Sequence, residues 1–151
     1  MKLTIHENPH VKENEAILIC TKLDHHMKCL ANYIQNYDYY IKGYNGSEYT
    51  MISLKEILYF DSTDGSTFLY SKDKIYEIKN SLKNLEQELP QTNFIRISKN
   101  CILNLDYLKQ VVPYPNHRML ATLKSNEQLI ISRQYIATLK IKLRTMTKEV
   151  I

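Results

Sequence analysis

Ile57-Leu58-Tyr59-Phe60-Asp61-Ser62-Thr63-Asp64-Gly65-Ser66-Thr67-Phe68-Leu69-Tyr70 is the stretch on which the reading of the fold turns. Two runs rich in aromatic and β-branched residues flank the dipeptide Asp64-Gly65, the composition of two strands joined by a tight turn. Working outward, YYIKGY and EYTMIS flank Asn45-Gly46, which tolerates the two positive φ angles of a type I′ hairpin. KIYEI, FIRIS, CILNL, LKQVVPY, RMLATLK and QLIISR read as further strands. Nine of the twelve tyrosines lie between Tyr33 and Tyr76, and they read as buried members of these strands.

Helical spacing is confined to three places. Leu23, Met27, Leu30, Ala31 and Ile34 share one helix face, with Asp24 or Thr21 near its start. Leu82, Leu85 and Leu89 share a face between Ser81 and Pro90, where proline ends the helix. From Gln134 to about Thr147, Ile136, Leu139, Ile141 and Leu143 interleave with Lys140, Lys142, Arg144 and Lys148 as a basic, partly apolar helix. Before the first helix, alternating Leu3 and Ile5 and the apolar run Ala16 to Cys20 read as two strands. The expectation is a small N-terminal β/α cap over residues 1–40 and a mainly β unit with small helices (α+β) over residues 41–151.

Composition sets the outer bounds. The 151 residues, 44% apolar and 24% charged, fit one compact unit rather than a disordered, collagenous or coiled-coil chain. No apolar run approaches the roughly 18 residues of a membrane span, and the start lacks the apolar core of a signal peptide, so the cytoplasm is the expected location. Three cysteines without a CxxC pair argue against a disulfide framework or structural zinc, and they read as buried, reduced thiols. Three glycines cannot build the common phosphate-cradling loops. The net charge of +4 is divided unevenly: residues 1–90 carry −3 and residues 91–151 carry +7.

Tests for catalysis find nothing that assembles, and the chain reads as a non-enzyme with no cofactor or metal. His25 and Cys29 share a helix face at i, i+4, but without a third ligand nearby they read as an exposed histidine beside a small thiol. Asp61 and Asp64 suit turn hydrogen bonding better than acid–base work. Cys101, two residues from Lys99, reads as inert strand filler, with a redox-sensitive thiolate as the minor alternative.

Two polar clusters carry more information. Ser98-Lys99-Asn100 interrupts the apolar run from Phe94 to Leu103, so it reads as an exposed loop between strands. Ser132-Arg133-Gln134 lies where an apolar strand passes into the basic helix, with Ser132 as a candidate helix cap. Lysine and arginine reach phosphates or guanine edges, and asparagine and glutamine pair with adenine. Spacing alone leaves DNA contact and plain solvated loops both open.

The order of ILYFDSTDGSTFLY, NSLKNLEQELPQTNFIRISKNCILNLDYLKQV and QLIISRQYIATLK resembles the LytTR family of bacterial DNA-binding domains over about residues 42 to 145. The resemblance implies an elongated set of short antiparallel sheets that places loops, not a recognition helix, in successive major grooves. Carried over by position, the DNA-facing loops fall on Asp64 to Thr67 (Gly65 and Ser66 at the tip), on Arg96 and Ser98, Lys99 and Asn100, and on Ser132, Arg133 and Gln134, with Lys83 near the backbone. Asn104 also matches, but its place between Leu103 and Leu105 suits a structural hydrogen bond. Ser98 stands where the family often has histidine and Gln134 where it often has a basic residue; both bear on base preference.

The function so implied is a sequence-specific transcription regulator on double-stranded DNA, with two copies on paired direct-repeat sites as a homodimer at least on DNA. About 40 residues before the domain cannot hold a receiver of ~120 residues, so aspartyl-phosphate control is not expected. The cap is a candidate contact for a dimer or a regulatory membrane protein. The rival reading is a protein-interaction adaptor acting through the cap and the tyrosine-rich sheets; base stacking of RNA on the aromatic strands is a third.

Overall fold

The computed structural model describes residues 1–35, 37, 39–89 and 93–146. Helix α1 (His25–Gln35) precedes β1 (Tyr40–Asn45), β2 (Glu48–Ser53), β3 (Ile57–Thr63), β4 (Ser66–Ser71) and β5 (Ile75–Ile78). Helix α2 (Leu82–Glu88) then leads to β6 (Phe94–Ser98), β7 (Cys101–Asn104), β8 (Leu108–Tyr114), β9 (Arg118–Leu123), β10 (Gln128–Ile131) and α3 (Ile136–Met146). Seven strands form one sheet in the order β2-β1-β5-β4-β3-β7-β6, and β10-β9-β8 form a second. Every pairing is antiparallel. The mainly β reading therefore holds, with each expected strand from Tyr40 onward in its place.

Strand β3 explains why the two layers stack as they do. Ile57, Leu58, Tyr59 and Phe60 are all buried, as a strand covered on both faces requires. Phe60 joins Ile57, Leu69, Ile102 and the α2 residues Leu82 and Leu85 on one face. Leu58 and Tyr59 join Ile95, Ile97 and Leu103 with Ala121, Leu123, Ile131 and Leu139, from the second sheet and α3, on the other. The Tyr59 hydroxyl donates to Glu127 Oε2 at 2.8 Å and its ring stacks on Tyr70 with centroids 4.3 Å apart, which pins the loop before β10 to the first sheet.

The turns follow local chemistry. Asp64 and Gly65 both have positive φ (51° and 79°), giving the β3–β4 hairpin a type I′ turn. The β1–β2 hairpin forms as expected, but its loop is Gly46-Ser47, with Asn45 paired to Glu48. Only Gly46 has positive φ (69°) there, the pattern of a type II′ turn rather than the expected type I′ turn. Ser81 caps α2, accepting from the Asn84 N–H at 3.1 Å, and Asp24 Oδ1 accepts from the Met27 N–H at 3.0 Å at the start of α1. Pro90 and Lys148, each read above as part of a helix or its end, lie outside the described residues.

Several expectations are corrected. The N-terminal strands at Leu3 to Ile5 and Ala16 to Cys20 do not form: both stretches are irregular and largely exposed, without a ladder partner among the described residues. Alternation makes a segment able to enter a sheet, but a strand exists only when a neighbour takes its backbone groups. Cys20 and Cys29 are exposed, so only Cys101 is a buried thiol. Tyr33, Tyr37, Tyr40, Tyr49 and Tyr114 are exposed as well, and lysines rest on three of these rings, Lys55 on Tyr33 and Tyr37 and Lys42 on Tyr49. On α3 the buried stripe runs through Ile136, Leu139, Leu143 and Met146, and Ile141 faces away from it.

Asn104 is the polar exception inside the core. Its Nδ2 donates to the Ile57 carbonyl at 2.8 Å and its Oδ1 accepts from the Asp106 N–H at 3.0 Å, the structural role its apolar neighbours suggested. Asn104→Ala leaves a buried carbonyl and an amide N–H without partners and is expected to cost about 1–3 kcal/mol, read as a lower urea midpoint at unchanged slope. A midpoint equal to that of the parent chain would show that neither bond matters.

Candidate nucleic-acid interface

The three candidate loops lie at one end of the first sheet, and a single irregularity in β6 brings two of them together. Pairing with β7 runs from Arg96↔Ile102 directly to Ser98↔Cys101, so Ile97 is an extra residue, a β-bulge. The displaced Ile97 carbonyl accepts from the Ser132 N–H at 2.8 Å. Ser132-Arg133-Gln134 is thereby held beside Ser98-Lys99-Asn100. A second bond, from the Ser62 N–H to the Asn100 carbonyl at 2.8 Å, ties the Lys99-Asn100 turn to the end of β3 that carries the Asp64-Gly65 turn.

Between these elements lies a polar groove of about 400 Å³. Gly65 and Ser66 line it from the β3–β4 hairpin, Lys83 from α2, and Arg96 and Lys99 from the β6–β7 hairpin. With Thr67, six of the residues singled out from sequence thus share one concavity. Ser98, Asn100, Ser132, Arg133 and Gln134 lie outside that lining, and Lys99, Asn100, Arg133 and Gln134 are exposed. Thr67, included with the first loop, is buried within β4. Lys79 and Asn80 also line the groove and escaped the sequence reading; the signal was the polar run Lys79-Asn80-Ser81 between a strand and a helix.

Arg96 does something different from its neighbours. Its Nε donates to the Ser98 carbonyl at 2.9 Å, one terminal nitrogen donates to the Lys99 carbonyl, and the other pairs with Glu86 on α2. At least three of its five N–H donors are therefore engaged within the chain. An exposed ion pair alone is worth at most about 1 kcal/mol, but here it is combined with two carbonyl contacts that fix the turn carrying Lys99. Ser98 adds to this: its Oγ accepts from the Asn100 N–H at 3.2 Å.

Ser132 stands at the start of a 3-10 turn, Arg133–Tyr135, but its side chain makes no capping bond. The expected side-chain cap is therefore absent; the Tyr135 N–H donates to the Ser132 carbonyl at 2.9 Å as the turn's own first bond. Asp61 accepts from the Thr63 hydroxyl at 2.9 Å, a turn role. Cys29 Sγ is 3.6 Å from His25 Nε2, and the described residues hold no cluster of three or more His, Cys, Asp or Glu able to bind a metal. No helix among them is long and apolar enough to cross a membrane.

This arrangement has counterparts. The sequence model of the LytTr DNA-binding domain matches residues 47–144. Sensory transduction protein LytT of Bacillus subtilis is 27% identical over 95 residues, which are 63% of this chain and 39% of that protein. A Staphylococcus aureus (strain N315) protein described as an uncharacterized HTH-type transcriptional regulator is 27% identical over 145 residues, 95% of this chain and 98% of its own. The LytTr DNA-binding domain of a methyl-accepting/DNA response regulator from Bacillus cereus superposes with a TM-score of 0.66 at 20% identity, covering 69% of this chain and 95% of that one. The chain belongs to the LytTR family of DNA-binding domains, and DNA is its partner. Among the described residues no two α-helices follow one another without strands between them, so the helix-turn-helix in the relative's description has no counterpart here.

Cys101 adjoins this end of the sheet, paired with Ser98 and Asp61. Burial pushes its thiol up to about 12, the Asp61 carboxylate adds to the rise, and Arg96 offsets it only in part. The redox-sensitive thiolate is thereby set aside, since the neutral thiol prevails at physiological pH. Iodoacetamide at neutral pH is expected to modify Cys20 and Cys29 in the folded protein and to reach Cys101 only in urea, as mapped by peptide mass spectrometry. Native labelling of Cys101 as fast as that of Cys20 would contradict this account.

Proposed function

We propose that the chain regulates transcription by laying the loop-bearing end of its first sheet across successive major grooves of double-stranded DNA. The observation that carries the reading is the joint anchoring of two polar turns through Ile97 and Ser132, which sets Lys99 and Arg133 on one rigid frame. Lys99 and Arg133 engage phosphate or a guanine edge, and Ser98, Asn100 and Gln134 hydrogen-bond beside them. Gly65 and Ser66 at the hairpin tip, together with Lys83, meet the sugar–phosphate backbone. Arg96 acts chiefly as the brace that holds Lys99 in place, with its remaining donors available to phosphate.

In this reading residues 41–151 form the DNA-binding unit and residues 1–40 a separate contact segment. Two copies occupy paired direct-repeat sites, the work is done in the cytoplasm, and no catalysis is involved. The C-terminal +7 supplies the attraction to phosphate.

The test is footprinting and gel-shift titration on the DNA upstream of the chain's own gene, across a range of salt. Affinity is expected to fall by about 0.9 log units per tenfold salt for each phosphate contact. Lys99→Ala and Arg133→Ala should each cost about 1–3 kcal/mol where a base edge is read, or reduce the salt slope by about one unit where a phosphate is held. Arg96→Ala should weaken binding and also lower the thermal midpoint, which the two surface changes leave in place. Unchanged affinity in Lys99→Ala and Arg133→Ala would remove the assigned surface.

A further inference from the structure

The groove between the β3–β4 hairpin, α2 and the β6–β7 hairpin holds polar groups that the fold does not use. Thr67 is only 7% exposed, shares the α2 face of β4 with the core residue Leu69, and lines the groove. Its hydroxyl has no hydrogen-bond partner among the described residues. A buried hydroxyl in that state carries a desolvation cost that a bound acceptor removes. Ser62 and Ser66, half-buried beside it, also line the groove, and their hydroxyls are likewise unpartnered among the described residues.

The charges around this floor say what acceptor fits. Lys79, Lys83, Arg96 and Lys99 bring positive charge to the groove. Arg96 is engaged by Glu86 and two carbonyls, and the Lys79 ammonium lies 4.5 Å from the centre of the Tyr44 ring. Lys83 and Lys99 are exposed and make no ion pair among the described residues. Glu77 also lines the groove, but strand alternation turns its side chain to the face opposite Ile78, the ladder partner of Thr67. Two unpaired ammonium groups and three hydroxyl donors match a phosphate group, which carries up to two negative charges and three acceptor oxygens. A volume of about 400 Å³ lies in the range of small-molecule sites and leaves room for what the phosphate is attached to.

We infer that this groove binds a phosphate-bearing small molecule in competition with DNA. The Thr67 hydroxyl donates to one phosphate oxygen, and Lys83 and Lys99 hold the others from the rim. Thr67 lies one ladder pair behind the hairpin tip, so a duplex resting on the tips meets Lys99 and Ser66 first, whereas a small molecule reaches the floor. Lys83, Lys99 and Ser66 belong to both surfaces, and the two ligands therefore exclude each other. The competition rests on the DNA reading given above; the phosphate seat itself does not. A rise in the small molecule then releases the chain from DNA, an input that needs no receiver domain.

Calorimetric titration of inorganic pyrophosphate into the full chain, without DNA and in phosphate-free buffer, tests the seat. Saturable one-to-one binding is expected. Thr67→Val removes the hydroxyl at nearly constant shape and should weaken that binding about tenfold or more, as should Lys83→Ala. Neither change should lower the thermal midpoint, because neither group is engaged in the fold. Arg133→Ala, outside the groove, should weaken DNA binding and leave pyrophosphate binding intact. In a gel shift, pyrophosphate should displace DNA from the parent chain beyond a sodium chloride control of equal ionic strength, and Thr67→Val should respond to the two salts alike. No saturable binding, or binding unchanged in both Thr67→Val and Lys83→Ala, overturns the seat. Loss of DNA affinity in Thr67→Val without pyrophosphate binding by the parent chain assigns the hydroxyl to a DNA phosphate and overturns the small-molecule source. Binding without displacement beyond the chloride control overturns the competition, whereas pyrophosphate binding by a chain that shifts no DNA supports the seat and removes the DNA reading instead.

Discussion

A carbonyl displaced from a ladder organises the loop-bearing end of this protein. In a regular hairpin the Ile97 carbonyl would be spent on β7 or on solvent; the bulge turns it toward Ser132, and one 2.8 Å hydrogen bond sets two loops far apart in sequence side by side. The arrangement is economical because the bulged residue is itself a core residue. The Ile97 side chain is fully buried against Ile131 and Leu139, so slipping the register would expose it as well as break the bond. Register at the loops is thus enforced by the core.

The same logic reaches from the centre outward. β3 is buried on both faces, and its pairing with β7 brings the Asn100 carbonyl to the Ser62 N–H. α2 packs Leu82 and Leu85 against Phe60 and Ile102, and from that position Glu86 reaches Arg96. Apolar packing therefore sets where the helix lies, and the helix in turn supplies the carboxylate that steadies the Lys99 turn. Polar contacts of modest individual worth become decisive for geometry because their frame is already in place.

Most of the sheet was legible in the residues because strands and turns here carry strong local signals. Alternation, β-branched and aromatic enrichment and the Asp64-Gly65 dipeptide all point the same way. What was not legible depended on neighbours. The expected N-terminal strands have the right pattern and no ladder, and the Gly46 turn moved by one residue because pairing of Asn45 with Glu48 fixed its position. Ile141 fits an apolar spacing but not the stripe that the core selects. The candidate site was legible as residue types, since the loops at Gly65, Lys99 and Arg133 do fall at one end of the molecule. The bracing role of Arg96 was hidden, because its partners are two turn carbonyls and a carboxylate ten residues earlier on another element.

The Asp64-Gly65 and Lys99-Asn100 turns have a further consequence. Each has only two residues between paired strand positions, Thr63 with Ser66 and Ser98 with Cys101, so neither has slack to take up. Loops this short behave as a fixed ruler. A ligand meeting them pays little to freeze them, but it must offer features at the spacing the sheet dictates. Changes in what such a surface recognises would then come from exchanging side chains at set positions, because lengthening a loop would change the ruler itself.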